Sequence, residues 1–218
     1  MPFAYHLPTT LEEARQLAAA DPEARFVAGG TDVMVRIREG KIAPGALISL
    51  TRISDLARVA MGPTIVIGAG ARVADLQTHA GVGRVLPALV QAASTLGSVQ
   101  IRNVATVGGN ICNASPCADL APPLLVHEAR VRIVSSEGTR ELPLSGFFVG
   151  PRASVLAPAE ILSAVVVDPP TPKTRAIFLK QGRVRMDIAL ASIAVLLEFD
   201  GQKCTRARVA AGSLGPCP

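Results

Sequence analysis

The chain has 218 residues, of which 49% are hydrophobic and only 18% charged, a composition that suits a folded globular protein and excludes an intrinsically disordered one. A core of this size needs no metal or disulfide staples, and no apolar run reaches the ~20 residues that a membrane-spanning helix requires, so no membrane span is expected. The net charge of +5 is a mild basic excess, and with one Tyr, six Phe and no Trp there is little stacking surface for nucleic acid, which is not an expected partner.

Met1 to Leu7 lacks the basic head and apolar run of a secretory signal, so the expected location is cytoplasmic. Thr10-Leu11-Glu12-Glu13 places a hydroxyl three residues before a carboxylate, a capping box that predicts a helix over about residues 11–20. Phe26-Val27-Ala28 is a short apolar run ended by Gly29-Gly30, after which Thr31 and Asp32 are placed to cap a helix from Val33 to Ile37 that closes at Gly40. Ala46 to Leu50 and Thr64 to Ile67 read as strands, and Val73 to His79 as a helix. Leu86 to Leu96 is the strongest helix of the middle segment, with Pro87 tolerated in its first turn.

Val104 to Val107 is a further apolar run, stopped by Gly108-Gly109-Asn110. A polar loop over residues 113–119 leads to a helix-like stretch at Leu124 to Glu128. Strands are expected at Val131 to Val134, Arg140 to Leu142, Glu160 to Val167 and Ala176 to Lys180, with Glu137-Gly138 as a hairpin signal. Asp168-Pro169-Pro170-Thr171-Pro172 cannot join a central strand and marks a domain boundary. Ile188 to Phe199 and Thr205 to Ala211 flank a second hairpin turn at Asp200-Gly201. The mixture of elements is α+β.

Motifs for Rossmann dinucleotide binding, for a P-loop and for zinc proteases are missing from the sequence. The two glycine turns remain. A bend without side chains lets main-chain N–H groups approach phosphate oxygens. Ala28-Gly29-Gly30-Thr31-Asp32 and Thr106-Val107-Gly108-Gly109-Asn110 both offer such a bend, although either alone reads more readily as a structural turn, and it is their pairing that suggests a diphosphate held from both sides.

The segment from Ile101 to Pro122, with Ala105-Thr106-Val107-Gly108-Gly109-Asn110 and Ala114-Ser115-Pro116-Cys117-Ala118-Asp119 at its centre, resembles the signature of the FAD-binding medium subunit of molybdenum hydroxylases. That family includes aerobic carbon monoxide dehydrogenase and xanthine dehydrogenase. Val27-Ala28-Gly29-Gly30-Thr31-Asp32 is similar to its first phosphate loop. Phe178-Leu179-Lys180-Gln181 followed by Arg185-Met186-Asp187-Ile188-Ala189 is similar to its later motif.

The resemblance implies an FAD-binding PCMH-type fold, like that of vanillyl-alcohol oxidase. It would cover residues 1–168 in two subdomains, about 1–55 and 56–168, and residues 173–218 would form part of a small α+β domain of antiparallel strands and helices. It implies that Val27, Ala28, Gly29, Gly30, Thr31, Asp32, Val33 and Met34, with Thr106, Val107, Gly108, Gly109 and Asn110, cradle the pyrophosphate of FAD. Asp119 would contact ribityl or ribose hydroxyls, with Ser115 in the same loop. Ile161 or Leu162 would pack near the flavin, and Lys180 would place a cation beside the isoalloxazine.

The implied activity is that of an oxidoreductase subunit in a heterotrimer. A large molybdopterin subunit hydroxylates substrate, a small subunit carries [2Fe-2S] clusters, and FAD passes the electrons to NAD, quinone or oxygen. No residue of this chain would touch the organic substrate. The family pattern continues beyond Ala211 to Pro218, so the chain is expected to be a fragment or a shortened homologue. Two other readings stay open: a cofactor-free structural or interaction subunit left by truncation, and a stand-alone FAD oxidoreductase.

Cys112 and Cys117 have the look of half a metal site, but Cys204 and Cys217 are poorly spaced to complete one, so free thiols and no metal are expected. His6, His79 and His127 are isolated. Arg102 reads either as a phosphate or partner contact or as a solvated side chain.

Overall fold

Thr10 starts the first helix, α1 (Leu11–Ala20), by accepting the Glu13 amide at 3.1 Å on its hydroxyl. The reciprocal bond runs from the Thr9 amide to Glu13 Oε2 at 2.8 Å, one residue earlier than a capping box requires. The computed structural model describes residues 3–218. In it α1 packs through Ala14 on a parallel sheet of β1 (Ala4–His6), β2 (Arg25–Val27) and β3 (Ala46–Ser49), in the order β1-β3-β2. The helix α2 (Val33–Arg38) follows β2 and ends before Gly40, whose φ of +68° is left-handed.

Beyond a 3-10 turn at Ser54–Ala57, strands β4 (Val59–Ala60) and β5 (Ile65–Gly68) lead into a run of short helices. These are α3 (Val73–Thr78), α4 (Ala80–Val85), α5 (Pro87–Thr95), α6 (Val99–Val104), α7 (Val107–Cys112) and α8 (Ala121–Val126). Then come β6 (Arg130–Ser135), β7 (Gly138–Pro143), the small pair β8 (Phe148–Gly150) and β9 (Ala153–Ser154), and β10 (Ile161–Val167). An antiparallel sheet forms in the order β4-β5-β10-β6-β7.

Every residue of β10 is buried because both of its faces are covered. Leu162, Val165 and Val167 join the core beneath the helices, whereas Ile161 packs with Ile48 and Leu56 into a second, smaller core that includes Ala14 of α1. A register shift between Leu162 and Ala164 lets the Ser163 carbonyl accept the Ala69 amide at 2.9 Å, tying the turn after β5 to the strand.

The last part, β11 (Thr174–Gln181), β12 (Ala191–Asp200) and β13 (Lys203–Gly212), is an antiparallel meander. The sheet changes across Asp168 to Pro172, yet Phe178, Ala194 and Leu196 bury into the same core as the helices. Among the described residues the segment after Pro172 contains strands and no helix. Two sequence expectations also differ from the observed elements. Val104 to Val107 is not one run: Ser98 accepts the Ile101 amide to start α6, and Thr106 accepts the Gly109 amide to start α7. Asp32 does not cap α2 with its side chain.

Candidate functional site

The first glycine turn leaves β2 at the carboxyl end of a parallel sheet, where a crevice outside the strand ends is the usual place for a ligand. Gly30 takes a φ of +70° and turns the chain into α2. Among the described residues, no acceptor meets the amide N–H groups of Gly29, Gly30, Thr31, Asp32 and Val33. Five adjacent unspent donors are the raw material of an anion-binding concavity.

The second turn is built differently. Gly108 and Gly109 lie in the first turn of α7. Their amides and those beside them are already used: Val107 donates to the Ala71 carbonyl, Gly108 to Ala69, Gly109 to Thr106 Oγ1 and Asn110 to the Thr106 carbonyl, at 2.7–3.0 Å. The expected main-chain donation from this turn therefore does not arise from free N–H groups. Its glycines give closeness instead. A Cβ on Gly108 would stand 2.5 Å from Ala69 Cβ, so that glycine seats α7 on the turn after β5. A Cβ on Gly109 would meet only Thr106 Oγ1 at 2.9 Å.

The two turns face one cleft. Gly29 packs so tightly on the end of α6 that a Cβ there would lie 2.1 Å from the Val104 carbonyl oxygen. One lobe, about 370 Å³, is lined by the first turn from Val27 to Val33 and by Thr106, Gly109 and Asn110. A smaller lobe of about 140 Å³ shares Val27, Ala28, Thr106 and Gly109 and is closed by Gly108, Ile161 and Leu162. Met34, Val107, Ser115, Asp119 and Lys180 do not line either lobe. Val107 is fully buried at the head of α7, Met34 is exposed on α2, and Ser115 bonds to Cys117 Sγ at 3.0 Å.

Asp119 and Lys180 find each other. Lys180 Nζ donates to Asp119 Oδ2 at 2.9 Å and to the Thr95 carbonyl at 3.1 Å. Thr95 precedes Leu96, which lines the larger lobe, and Leu120, next to Asp119, donates its amide to Asn110 Oδ1 at 3.3 Å. The pair thus backs the lobe remote from Ile161 and Leu162. Burial pushes the Asp119 carboxyl up, against the pull of Lys180, and Asp119 Oδ1 is buried with no hydrogen-bond partner among the described residues.

Sequence reasoning missed Phe26, Leu50, Leu56, Cys112 and Leu156 as cleft walls. Two of them were within reach: Phe26 and Leu50 stand at the carboxyl ends of adjacent parallel strands. Arg102 is no cleft residue. It closes the end of α5 by donating to the Leu96 and Gly97 carbonyls and to Gln77 Oε1. The larger cavity of about 930 Å³ between α8 and β13 contains none of the motif residues, so volume alone does not mark the site. The four cysteines are free thiols, with Cys112 pushed up to about 12 by burial.

Residues 1–170 match the family described as FAD binding domain in molybdopterin dehydrogenase. The chain is 35% identical to the xanthine dehydrogenase FAD-binding subunit of Escherichia coli O157:H7, over 98% of this chain and 75% of that protein. It is 32% identical to the nicotinate dehydrogenase FAD-subunit of Eubacterium barkeri, over 99% and 76% of the two. Among solved structures, a carbon monoxide dehydrogenase from Hydrogenophaga pseudoflava superposes with a TM-score of 0.96 at 29% identity, covering 100% of this chain and 76% of that one.

Proposed function

This chain belongs to the family of FAD-binding domains of molybdopterin dehydrogenases, and from that premise we propose that it serves as the FAD subunit of a molybdenum hydroxylase. Its relatives are dehydrogenases, and FAD is the cofactor of the family. In this reading a small subunit with [2Fe-2S] clusters delivers electrons, a large molybdopterin subunit generates them from substrate, and NAD, quinone or oxygen receives them.

The observation that carries the reading is the row of five unspent amides from Gly29 to Val33, facing α7 across the cleft. A diphosphate needs such donors, because charge-assisted bonds from N–H groups to phosphate oxygens exceed neutral ones in strength. The buried, unpartnered Asp119 Oδ1 is a spare acceptor behind the lobe, and a ribityl or ribose hydroxyl reaches it once the side chains that cover it move aside. Gly109 keeps the opposite wall free of a side chain. Thr106 and Asn110 stand beside it with polar groups.

When bound, FAD supplies a group able to exchange electrons singly or in pairs. Lys180 sits behind Leu96 and Asn110, so the ring system belongs at that lobe, where the ammonium charge favours added electrons. Ile161 and Leu162, at the other lobe, then meet the adenine end rather than the flavin. No side chain of this chain needs to act on the organic substrate.

An absorbance spectrum of the purified chain tests the reading. Bands near about 370 and 450 nm, from a flavin released on denaturation as FAD, are the expected result. A folded, colourless protein that takes up no added FAD overturns it.

A further inference from the structure

Asp32 presents a difficulty at this site. It lies among the free amides and lines the larger lobe, so its negative charge is close to where a diphosphate would be held. A carboxylate beside unspent N–H groups ordinarily turns onto them and binds them itself. Here it does not: the Asp32 carboxylate makes no bond to the backbone of its own helix.

Its Oδ1 instead accepts Asn113 Nδ2 at 3.0 Å, reaching from the first subdomain to the C-terminal end of α7. Asn113 is itself held. Its Oδ1 accepts Arg152 Nη1 at 3.1 Å, which fixes which end of the amide faces Asp32. The Arg152 backbone is tied in turn, its amide donating to the Ala114 carbonyl at 2.8 Å from a left-handed φ of +58°.

We propose that Asn113 is a positioning residue of the dinucleotide site: with Arg152 behind it, it holds the Asp32 carboxylate away from the Gly29–Val33 amides and so keeps them open to a diphosphate. The inference rests on the FAD reading and deepens it. Without Asn113 the carboxylate is free to swing into the lobe that it lines, where it occupies donors and repels the incoming phosphates. Arg152 contributes by orienting the amide and by placing a positive charge behind it.

Equilibrium binding to the purified, cofactor-stripped chain, followed by flavin fluorescence, tests this. Asn113→Ala should weaken FAD about tenfold, the size of one lost charge-assisted hydrogen bond. ADP should weaken alike when used as a competitor, and riboflavin, which has no phosphate, should be unaffected. Adding Asp32→Ala to Asn113→Ala should return FAD affinity to the wild-type value or beyond. Arg152→Ala, a change at an exposed side chain, should weaken FAD in the same direction by a smaller factor. If Asn113→Ala and the double variant weaken FAD equally, Asn113 is only a clasp between subdomains and the inference is wrong. Unchanged affinity in Asn113→Ala, with normal FAD uptake by the wild type, overturns this inference alone. A wild-type chain that takes up no FAD overturns the cofactor reading, and this one with it.

Discussion

Lys180 and Asp119 pair at 2.9 Å with side chains only 5% and 9% exposed, joining the last sheet to the loop in front of α8. A pair so placed is costly to assemble and more costly to break. Removing two charges from water takes several kcal/mol that their attraction only partly returns, whereas deleting one partner leaves the other buried alone. The raised Asp119 carboxyl reflects this balance, because burial outweighs Lys180.

Single substitutions should therefore be severe and the double one mild. Asp119→Asn and Lys180→Met are each expected to lose about 3–5 kcal/mol in urea unfolding. The double substitution should lose clearly less than the two together. Additive losses would show that the two groups do not depend on each other.

His127 gives the protein an acid limb. It is nearly buried at the end of α8, its Nε2 has no partner among the described residues, and burial, aided by the Arg208 charge, pushes its pKa down to about 4. Above the unfolded value of 6.5 both states are neutral at this ring. As pH falls from there toward 4, the unfolded chain takes up a proton that the folded chain refuses, so stability is lost across that window. The loss is about 3 kcal/mol. Asp119 acts in the opposite sense, since its raised carboxyl binds its proton first in the folded state and favours folding as pH falls. Comparing the wild type with His127→Leu at pH values of about 7 and 4.5 separates them. The variant should lose less stability on acidification; an equal loss would remove His127 from the account.

The adjacent glycines of α7 should fail in different ways. Gly108→Ala pushes a methyl into Ala69 and lengthens the bond from its amide to the Ala69 carbonyl, so it should lower the melting temperature by the equivalent of about 1–3 kcal/mol. Gly109→Asp puts its carboxylate at the cleft wall, with only Thr106 Oγ1 close by. It should fold and lose FAD. Normal flavin content in folded Gly109→Asp would remove this wall from the site.

Much of this was legible because local signals and tertiary structure agree. The Thr10 cap, Pro87 at the head of α5, the prolines after Asp168 and the Asp200-Gly201 turn each punctuate the chain where an element changes. The first glycine turn was readable for the same reason, as a bend following an apolar strand. The second was harder. Six residues of helix are too few for a 3.6-residue period to stand out, so α6 and α7 look like apolar runs interrupted by glycines. Nor does sequence reveal which amides are spent, because the carbonyls of Ala69 and Ala71 that occupy those of α7 lie far from it along the chain. The Asp119–Lys180 pair spans 61 residues and had no local trace.

Gln91 offers a last test, since it acts on Lys180 from a distance. Its Oε1 accepts the Phe178 amide at 2.8 Å, and four residues on, the Thr95 carbonyl accepts Lys180 Nζ. One face of α5 thus holds β11 at two points and fixes where the ammonium stands. Gln91→Ala leaves the Phe178 amide without its acceptor and should cost about 1–2 kcal/mol. By loosening β11 it should also lower the reduction potential of bound FAD, in the direction that Lys180→Met lowers it and by a smaller amount, because a less well-placed cation stabilises the reduced ring less. Gln91→Glu keeps an acceptor in place and should restore most of the stability. Potentiometric titration of the flavin-loaded chain decides the matter: an unchanged potential in Gln91→Ala, beside a lowered one in Lys180→Met, would mean that α5 braces the fold without setting the charge at the cofactor.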